Sequence, residues 1–460
     1  MKKINLLAKL GGFAFLAASP LVAARCGGES PYQNNAANEA AANEKKEDIV
    51  SKWDSEISIT NGWVNKGFQG TKLETDFLEL LGKRFNELKN KDSKTKDLPD
   101  VKFVIKVDGD GSYYTKLTAD NKENDLYIAN YTEYVNELWK DGKFNSAFAP
   151  KIVSQASTLQ FTWGAGDNDV YVDGSANDKL RVHADQNNIK WTKEIGKEYP
   201  EWSEVTGEGK TLQFDGSKYT NFYKKDKVTY VYHGAIYISG NKATRDAIVK
   251  AWEAKNWEDF YKHGISYKKT SSAGKYKYQA ALLARHFGKD LKDINEFLQN
   301  NQDYVVRGKS AGDSLGKETE DKNSKKKSTP HISFGDEGEY NWTLSQKEGD
   351  NAGQFKPTNF KEGKLYDDAE NDVVRVLTLT NPAPYDMVLG RTGLSQTQVN
   401  LISKALQSLS LEENQYGIYT GYNKFQPINM ELLETLTKFQ VRAESKQDFD
   451  KLSVVSPSAK

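Results

Sequence analysis

The feature that most limits how this chain can fold lies between residues 57 and 139. Ile57 and Ile59 alternate with polar neighbours as a short strand, and the loop Asn61 to Gly70 follows, carrying Trp63. Leu73, Phe77, Leu80, Phe85 and Leu88 then recur at helical spacing. Val101, Phe103, Ile105 and Val107 alternate as a second strand, and Leu126 and Ile128 begin a third that ends at Asn130 and Tyr131, before a helix over Tyr134 to Trp139. Strand, helix, strand, helix at this spacing predicts a parallel sheet covered by helices, with ligands beyond the C-terminal ends of the strands. Trp63, Asn130 and Tyr131 fall at such ends.

Ile152 to Phe161 is apolar and β-branched enough to be a strand crossing into a second lobe, and Val228 to Ile238 is the strongest strand in the chain. Residues 162–225 carry Gly- and Asp-rich turns with little periodicity. His331 to Phe334 and Val373 to Thr380 read as further strands, and Ser395 with Gln398 forms a capping box for a helix through Leu409. The turn Asn381 to Asp386 holds two prolines that fix an extended path. Its polar ends suit a cleft, and a plain strand connector suits the residues equally well. The expected division is residues 53–155 with 376–445 as one lobe, 156–375 as a second with a charged, mobile surface insert near 317–328, and 446–460 as a tail.

The start of the chain sets its compartment. Lys2 and Lys3, an apolar run from Ile4 to Val22 broken by Lys9, then Ala23, Ala24 and Arg25 have the layout of a secretory signal, residues 1–25. The only cysteine, Cys26, stands at the junction. This resembles a bacterial lipoprotein, in which that residue is acylated (palmitate) and anchors the chain to the membrane. Residues 26–52, rich in Ala, Asn and Glu, read as a flexible tether. One cysteine also excludes disulfides and thiolate metal sites. Lysine plus arginine equal aspartate plus glutamate at 64 each, so no overall field marks a nucleic-acid binder.

Thr270 to Phe287 joins a small polar loop to an amphipathic helix with Ala280, Leu283, Ala284 and Phe287 on one side. A helix start presents unpaired N–H groups and partial positive charge, so Ser271, Ser272 and Gly274 there suit an anion. An ordinary serine cap with nothing bound is the simpler local reading. Five scattered histidines lack metal-ligand spacing, and there is no GxSxG elbow or Walker loop. The Asp-rich runs at 108–112 and 167–173 lack the offsets of a calcium loop. No metal, no catalytic cofactor and no enzyme activity is expected.

Several stretches in the same order carry a resemblance: VTYVYHGAIYI, TSSAGKYKYQAALLARHF, GKSAGDSLG with HISF, TLTNPAPYDMVLGR and YGIYTGYNKFQPIN. Together, over nearly all of residues 50–440, the chain resembles the phosphonate-type substrate-binding proteins of ABC transporters, and among them the mycoplasmal extracytoplasmic thiamine-binding lipoproteins. The resemblance implies a type II periplasmic-binding-protein-like α/β fold, two lobes with a ligand cleft between them. It implies phosphate contacts from Ser271, Ser272, Gly274 and Lys275, with Ser310 and Ser314 from the following loop. For the ring and cleft it implies Trp63, Asn130, Tyr131, Tyr232, His233, Asp313, Trp342, Asn381, Tyr385 and Asp386, with Asp386 or Asp313 facing a cationic ring.

The function so implied is a lipid-anchored solute receptor at the extracytoplasmic face of the cell membrane. It binds thiamine or thiamine diphosphate by lobe closure and passes it to permease and ATPase subunits, acting as a monomer. A phosphonate, nucleotide or sugar phosphate would suit the same residues, and the rival class is a surface adhesin on the same scaffold.

Overall fold

The computed structural model describes residues 30–109, 111–164, 166–195, 198–199, 209, 220–341, 355–363 and 369–459. The signal segment, Cys26 and Trp342 lie outside them.

The expected alternation folds as one side of the molecule. Glu56–Asn61 pairs in parallel with Lys102–Val107 and with Leu126–Ala129, setting Ile57 against Phe103 and Ile59 between Ile105 and Leu126. The helix Lys72–Lys91 covers this sheet with Phe77, Leu81 and Phe85 buried. Met387–Gly390, Lys151–Phe161 and Lys424–Gln426 extend the sheet on the far side of Leu126–Ala129 through antiparallel pairings. Arg391, just past that return strand, is buried among Asp54, Asp120 and Asp125 at 2.8 Å each, so one guanidinium ties three loops of this lobe.

A second sheet of five strands runs Val305–Arg307, Ile265–Tyr267, Ile332–Asp336, Gly234–Gly240, Val373–Leu379. Its first three strands are parallel, and Gly234–Gly240 runs antiparallel to both of its neighbours, Ile332–Asp336 and Val373–Leu379. Ile236, Ile238, Trp252, Leu283 and Phe334 form its core. The helix Tyr278–His286 is buried at every position but Arg285, because it is packed against Leu291–Asn300 and against Met430–Glu444 as well as the sheet. An apolar face on one side alone was therefore too narrow an expectation.

Two segments connect the sheets. Lys151–Phe161 leaves the first sheet and pairs at its far end with Tyr223–Thr229, Phe161 facing Tyr223. The return passes through Ala383–Pro384, which pairs with Val231–Tyr232. Between Tyr171 and Tyr223, where the sequence shows little periodicity, lies the helix Lys179–Ile195.

Residues 34–52 are not a free tether. Asn35–Asn43 and Lys46–Lys52 are helices. The Glu44 carboxylate accepts from Gln396 N at 3.2 Å and Thr397 N at 2.8 Å, capping the helix Gln396–Gln407. Lys94 Nζ donates to the Ala42 and Glu44 carbonyls at 2.6 and 2.8 Å. Alanine favours helix, and the open N–H groups of a neighbouring helix give Glu44 a partner. The lysine-rich insert is also ordered. Thr319–Glu320 and Lys327–Ser328 form a hairpin, and buried Asp321 at its turn is bound by Arg307 Nε at 2.8 Å and Nη2 at 2.9 Å. Its lysines are solvated, but its base is pinned by a buried bidentate ion pair. The tail packs too, with Val454 exchanging two hydrogen bonds with the Asn168 side chain.

Candidate functional site

Where the two connecting segments pass between the sheets, a cavity of about 850 Å³ is open. Residues from Trp63 to Tyr422 line it, drawn from both lobes and from the crossing strands.

One wall is the loop and helix start at Ser271–Lys275. Lys277 N donates to Ser272 O at 3.1 Å, five residues back, so the helix begins with a π-type turn, Ala273–Lys277. Ser272 makes no side-chain capping bond, so its hydroxyl is not consumed by the helix as the simpler reading required. The wider first turn leaves N–H groups without intrahelical partners at the cavity wall. Gly274 is required here by close approach, since a β-carbon would collide with the Asp336 carboxylate. Lys268, Lys269 and Ser310 line the same wall. Lys275 lines it as well, but its ammonium lies 2.8 Å from Glu339 and 3.3 Å from Asp336. Burial disfavours that charge, yet the two carboxylates more than offset it and hold the ammonium above its ordinary range.

The adjoining wall, which meets the helix start where Tyr232 packs on Gly274, is aromatic and hydroxyl-rich. Tyr385 packs edge-on against Tyr232 and Tyr422, with ring centroids 5.8 and 5.5 Å apart. Asn130 Nδ2 donates to Tyr232 O–H at 3.0 Å and to Asp386 Oδ1 at 2.9 Å. Tyr422 O–H donates to Asp386 Oδ2 at 2.6 Å. Burial pushes the Asp386 carboxyl up, against these two donors, and Glu133 adds to the rise. Gly421, at φ +88°, lets the chain turn over Tyr385. Trp63 stands at the mouth, 59% exposed.

His233 is buried at the cavity wall, with Nδ1 2.6 Å from the Thr380 carbonyl. A carbonyl only accepts, so Nδ1 carries the proton and Nε2 is a lone-pair acceptor, which finds no partner among the described residues. Burial lowers its pKa to about 4.

Of the residues expected at a site, Ser271, Ser272, Gly274, Lys275, Ser310, Trp63, Asn130, Tyr232, His233, Asp313, Tyr385 and Asp386 line this cavity. Three do not. Ser314 is buried behind the wall, bonded to Ser266 Oγ and the Ser310 carbonyl at 2.8 Å each. Tyr131 is in the core of the first lobe, its hydroxyl donating to Gln155 Oε1 at 2.8 Å. Asn381 accepts from Tyr171 N at 2.8 Å. Each was expected from the end of a strand or loop, but the backbone there turns the side chain inward to satisfy a buried polar group.

Sequence reasoning missed Phe161 and Tyr223 on the crossing strands, Tyr419 and Tyr422, and the acidic turn Asp336, Glu337 and Glu339. The signal for the last was three acids within four residues after a strand. Glu337 is buried, accepts from Trp163 Nε1 at 2.9 Å, and is pushed up to about 7 by burial.

The comparisons with known proteins agree with one another. A family model described as CypI, extracytoplasmic thiamine-binding lipoprotein, matches residues 75–441. The high affinity transport system protein p37 of Mesomycoplasma hyorhinis is 29% identical over 399 residues, 84% of this chain and 89% of that one. Its counterpart in Mycoplasma pneumoniae is 28% identical over 288 residues, 61% of this chain and 70% of that one. Among solved structures, Mycoplasma hyorhinis Mh-p37, proposed to be a thiamine pyrophosphate transporter, aligns with a TM-score of 0.69 at 27% identity, over 85% of this chain and 99% of that one. The two-lobed binding-protein fold expected from the sequence is the one shared with Mh-p37. With the family model covering most of its length, the chain belongs to the extracytoplasmic thiamine-binding lipoproteins, membrane-associated solute-binding proteins of transport systems and not enzymes.

Proposed function

We propose that this protein captures thiamine diphosphate in the interlobe cavity and presents it to the permease and ATPase subunits of an ABC transporter. The observation that carries the reading is the helix start at Ser271–Gly274, with Ser272 not used as a cap, lining one cavity together with Tyr232, Tyr385 and Tyr422. N–H groups and hydroxyls at a helix start suit the diphosphate, and the aromatic side suits the rings. No group in this arrangement needs to react. Binding is completed by the lobes closing about the crossing strands, as two-lobed receptors do.

The test is calorimetry with thiamine diphosphate, thiamine and ATP, on the wild type and on Ser271→Ala with Ser272→Ala. Thiamine diphosphate is expected to bind most tightly. The double variant is expected to weaken it by roughly tenfold to a hundredfold, as for two charge-assisted hydrogen bonds, while changing thiamine little. Equal losses for both ligands would reduce the loop to a structural turn. Binding of ATP alone would keep the receptor and discard thiamine.

A further inference from the structure

The charge of the cavity wall is unusual for a phosphate receptor. Among the described residues, six of its lining side chains are acidic and three are lysines, and Lys275 is already committed to Asp336 and Glu339. Glu337 stands apart from that ion-pair cluster. It is 7% exposed, and the hydrogen bond its side chain accepts is from a neutral group, the Trp163 indole. A buried carboxyl with no cation paired to it is costly to ionise, and a bound cation removes that cost.

Three further observations describe its surroundings. The Trp163 indole that holds Glu337 stacks on Phe161, at 4.3 Å between centroids and 15° between planes, and Phe161 lines the cavity. The backbone at Gly338 is packed against the Phe161 ring, so ring and carboxyl are neighbours. His233, whose carbonyl accepts from Glu337 N at 2.9 Å, has its Nε2 lone pair buried at the same wall and unpartnered among the described residues. This part of the site offers acceptors and the aromatic side chains Phe161 and Tyr223, a lining suited to a positively charged, donor-bearing heterocycle. Glu337 also follows directly on Asp336, which packs on Gly274 at the helix start. In thiamine diphosphate a two-carbon chain separates the ring cation from the diphosphate, so the two subsites must be adjacent.

We propose that Glu337 is the residue by which this receptor selects a positively charged ring, beside the Trp163–Phe161–Tyr223 aromatic stack whose Phe161 and Tyr223 line the cavity. The inference rests on the thiamine reading above and deepens it. Binding then follows a balanced exchange: protein carboxylic acid and cationic ligand give a carboxylate–cation pair and one proton released to solvent. The charged and titratable groups around Glu337 are Asp336 and Glu339 on its own turn, Lys275 from the helix start, and His233 and Tyr237 from the neighbouring strand. The carboxyl's rise to about 7, caused by burial, makes the release measurable near neutral pH.

The experiment uses the full-length lipoprotein in detergent. Thiamine diphosphate is compared with its deaza analogue, in which carbon replaces the thiazolium nitrogen so that the ring keeps its shape and loses its charge. Calorimetry near pH 7 in two buffers of different ionisation enthalpy counts the protons. The wild type is expected to prefer the cation by about tenfold or more and to release more protons with it than with the analogue, the shared diphosphate contributing equally to both. Glu337→Gln should bind both ligands alike and release the same number of protons with each, and Glu337→Asp should restore part of the preference. Equal affinity of the wild type for both ligands, or an unchanged preference in Glu337→Gln, overturns the proposal and leaves the thiamine reading standing. Binding of neither ligand overturns both.

Discussion

At the scale of single residues, the site is a set of groups whose ordinary behaviour has been shifted by burial. Glu337 is the clearest case, because its carboxyl titrates near 7 in the folded chain and near 4.5 when unfolded. The native state therefore binds its proton more tightly than the unfolded chain, and stability from this group falls as pH rises between those two values. A gap of that width corresponds to a loss of at most about 3 kcal/mol above pH 7. Glu337→Gln keeps an acceptor for Trp163 and removes the titration. Its melting temperature is expected to exceed that of the wild type at pH 8, with the difference closing by pH 5. A difference of the same size at both values would mean that the carboxyl is not buried as described. His233 runs the other way, since its lowered pKa makes its neutral form a source of stability that is lost as pH falls below about 6.5 toward 4.

At the scale of elements, local sequence and neighbouring elements compete for the same backbone groups. The helix Gln396–Gln407 draws its caps from two places: the Ser395 hydroxyl accepts from Gln398 N at 3.0 Å, and Glu44 takes the two preceding N–H groups. The first was readable from the capping-box spacing, whereas Glu44 lies some 350 residues away in sequence and was not. Glu44→Ala is expected to cost about 1 kcal/mol, the usual value of a cap. It should also raise hydrogen exchange in both Asn35–Asn43 and Gln396–Gln407, and protection unchanged in the N-terminal helix would show that other contacts hold it. The same competition explains the insert near 317–328, where solvated lysines suggested a free loop but Asp321, buried against Arg307, closes a hairpin.

At the scale of the whole molecule, two sheets are joined by the strand Lys151–Phe161 and by the return through Ala383–Pro384. The tail adds a third link, with Asp448 bound to Arg285 of the second lobe and the Ser458 carbonyl accepting from Gln426 Nε2 of the first at 2.7 Å. If the lobes close on ligand, the radius of gyration measured by X-ray scattering should fall when thiamine diphosphate is added. Removal of residues 446–460 should lower the melting temperature of the ligand-free chain, because Val454 is buried. No change in scattering on saturation would exclude closure as the mode of capture.

The sequence by itself determined what depends on local pattern. The alternation from Ile57 to Ile128 dictated a parallel sheet, because side-chain periodicity decides which face is buried. The Thr270–Gly274 loop dictated a helix start with hydroxyls, and the ordered motifs pointed to the family. Only the tertiary structure decided which polar groups face the cavity. Tyr131, Asn381 and Ser314 have the right types and positions but are turned into the interior by buried partners. Phe161, Glu337 and Tyr422 become neighbours of one cavity only when two lobes meet. Whether a carboxylate is solvated and ordinary, or buried and able to read a ligand's charge, is set by what packs around it. Glu337 takes that role only because the distant Phe161 and Trp163 fold over it.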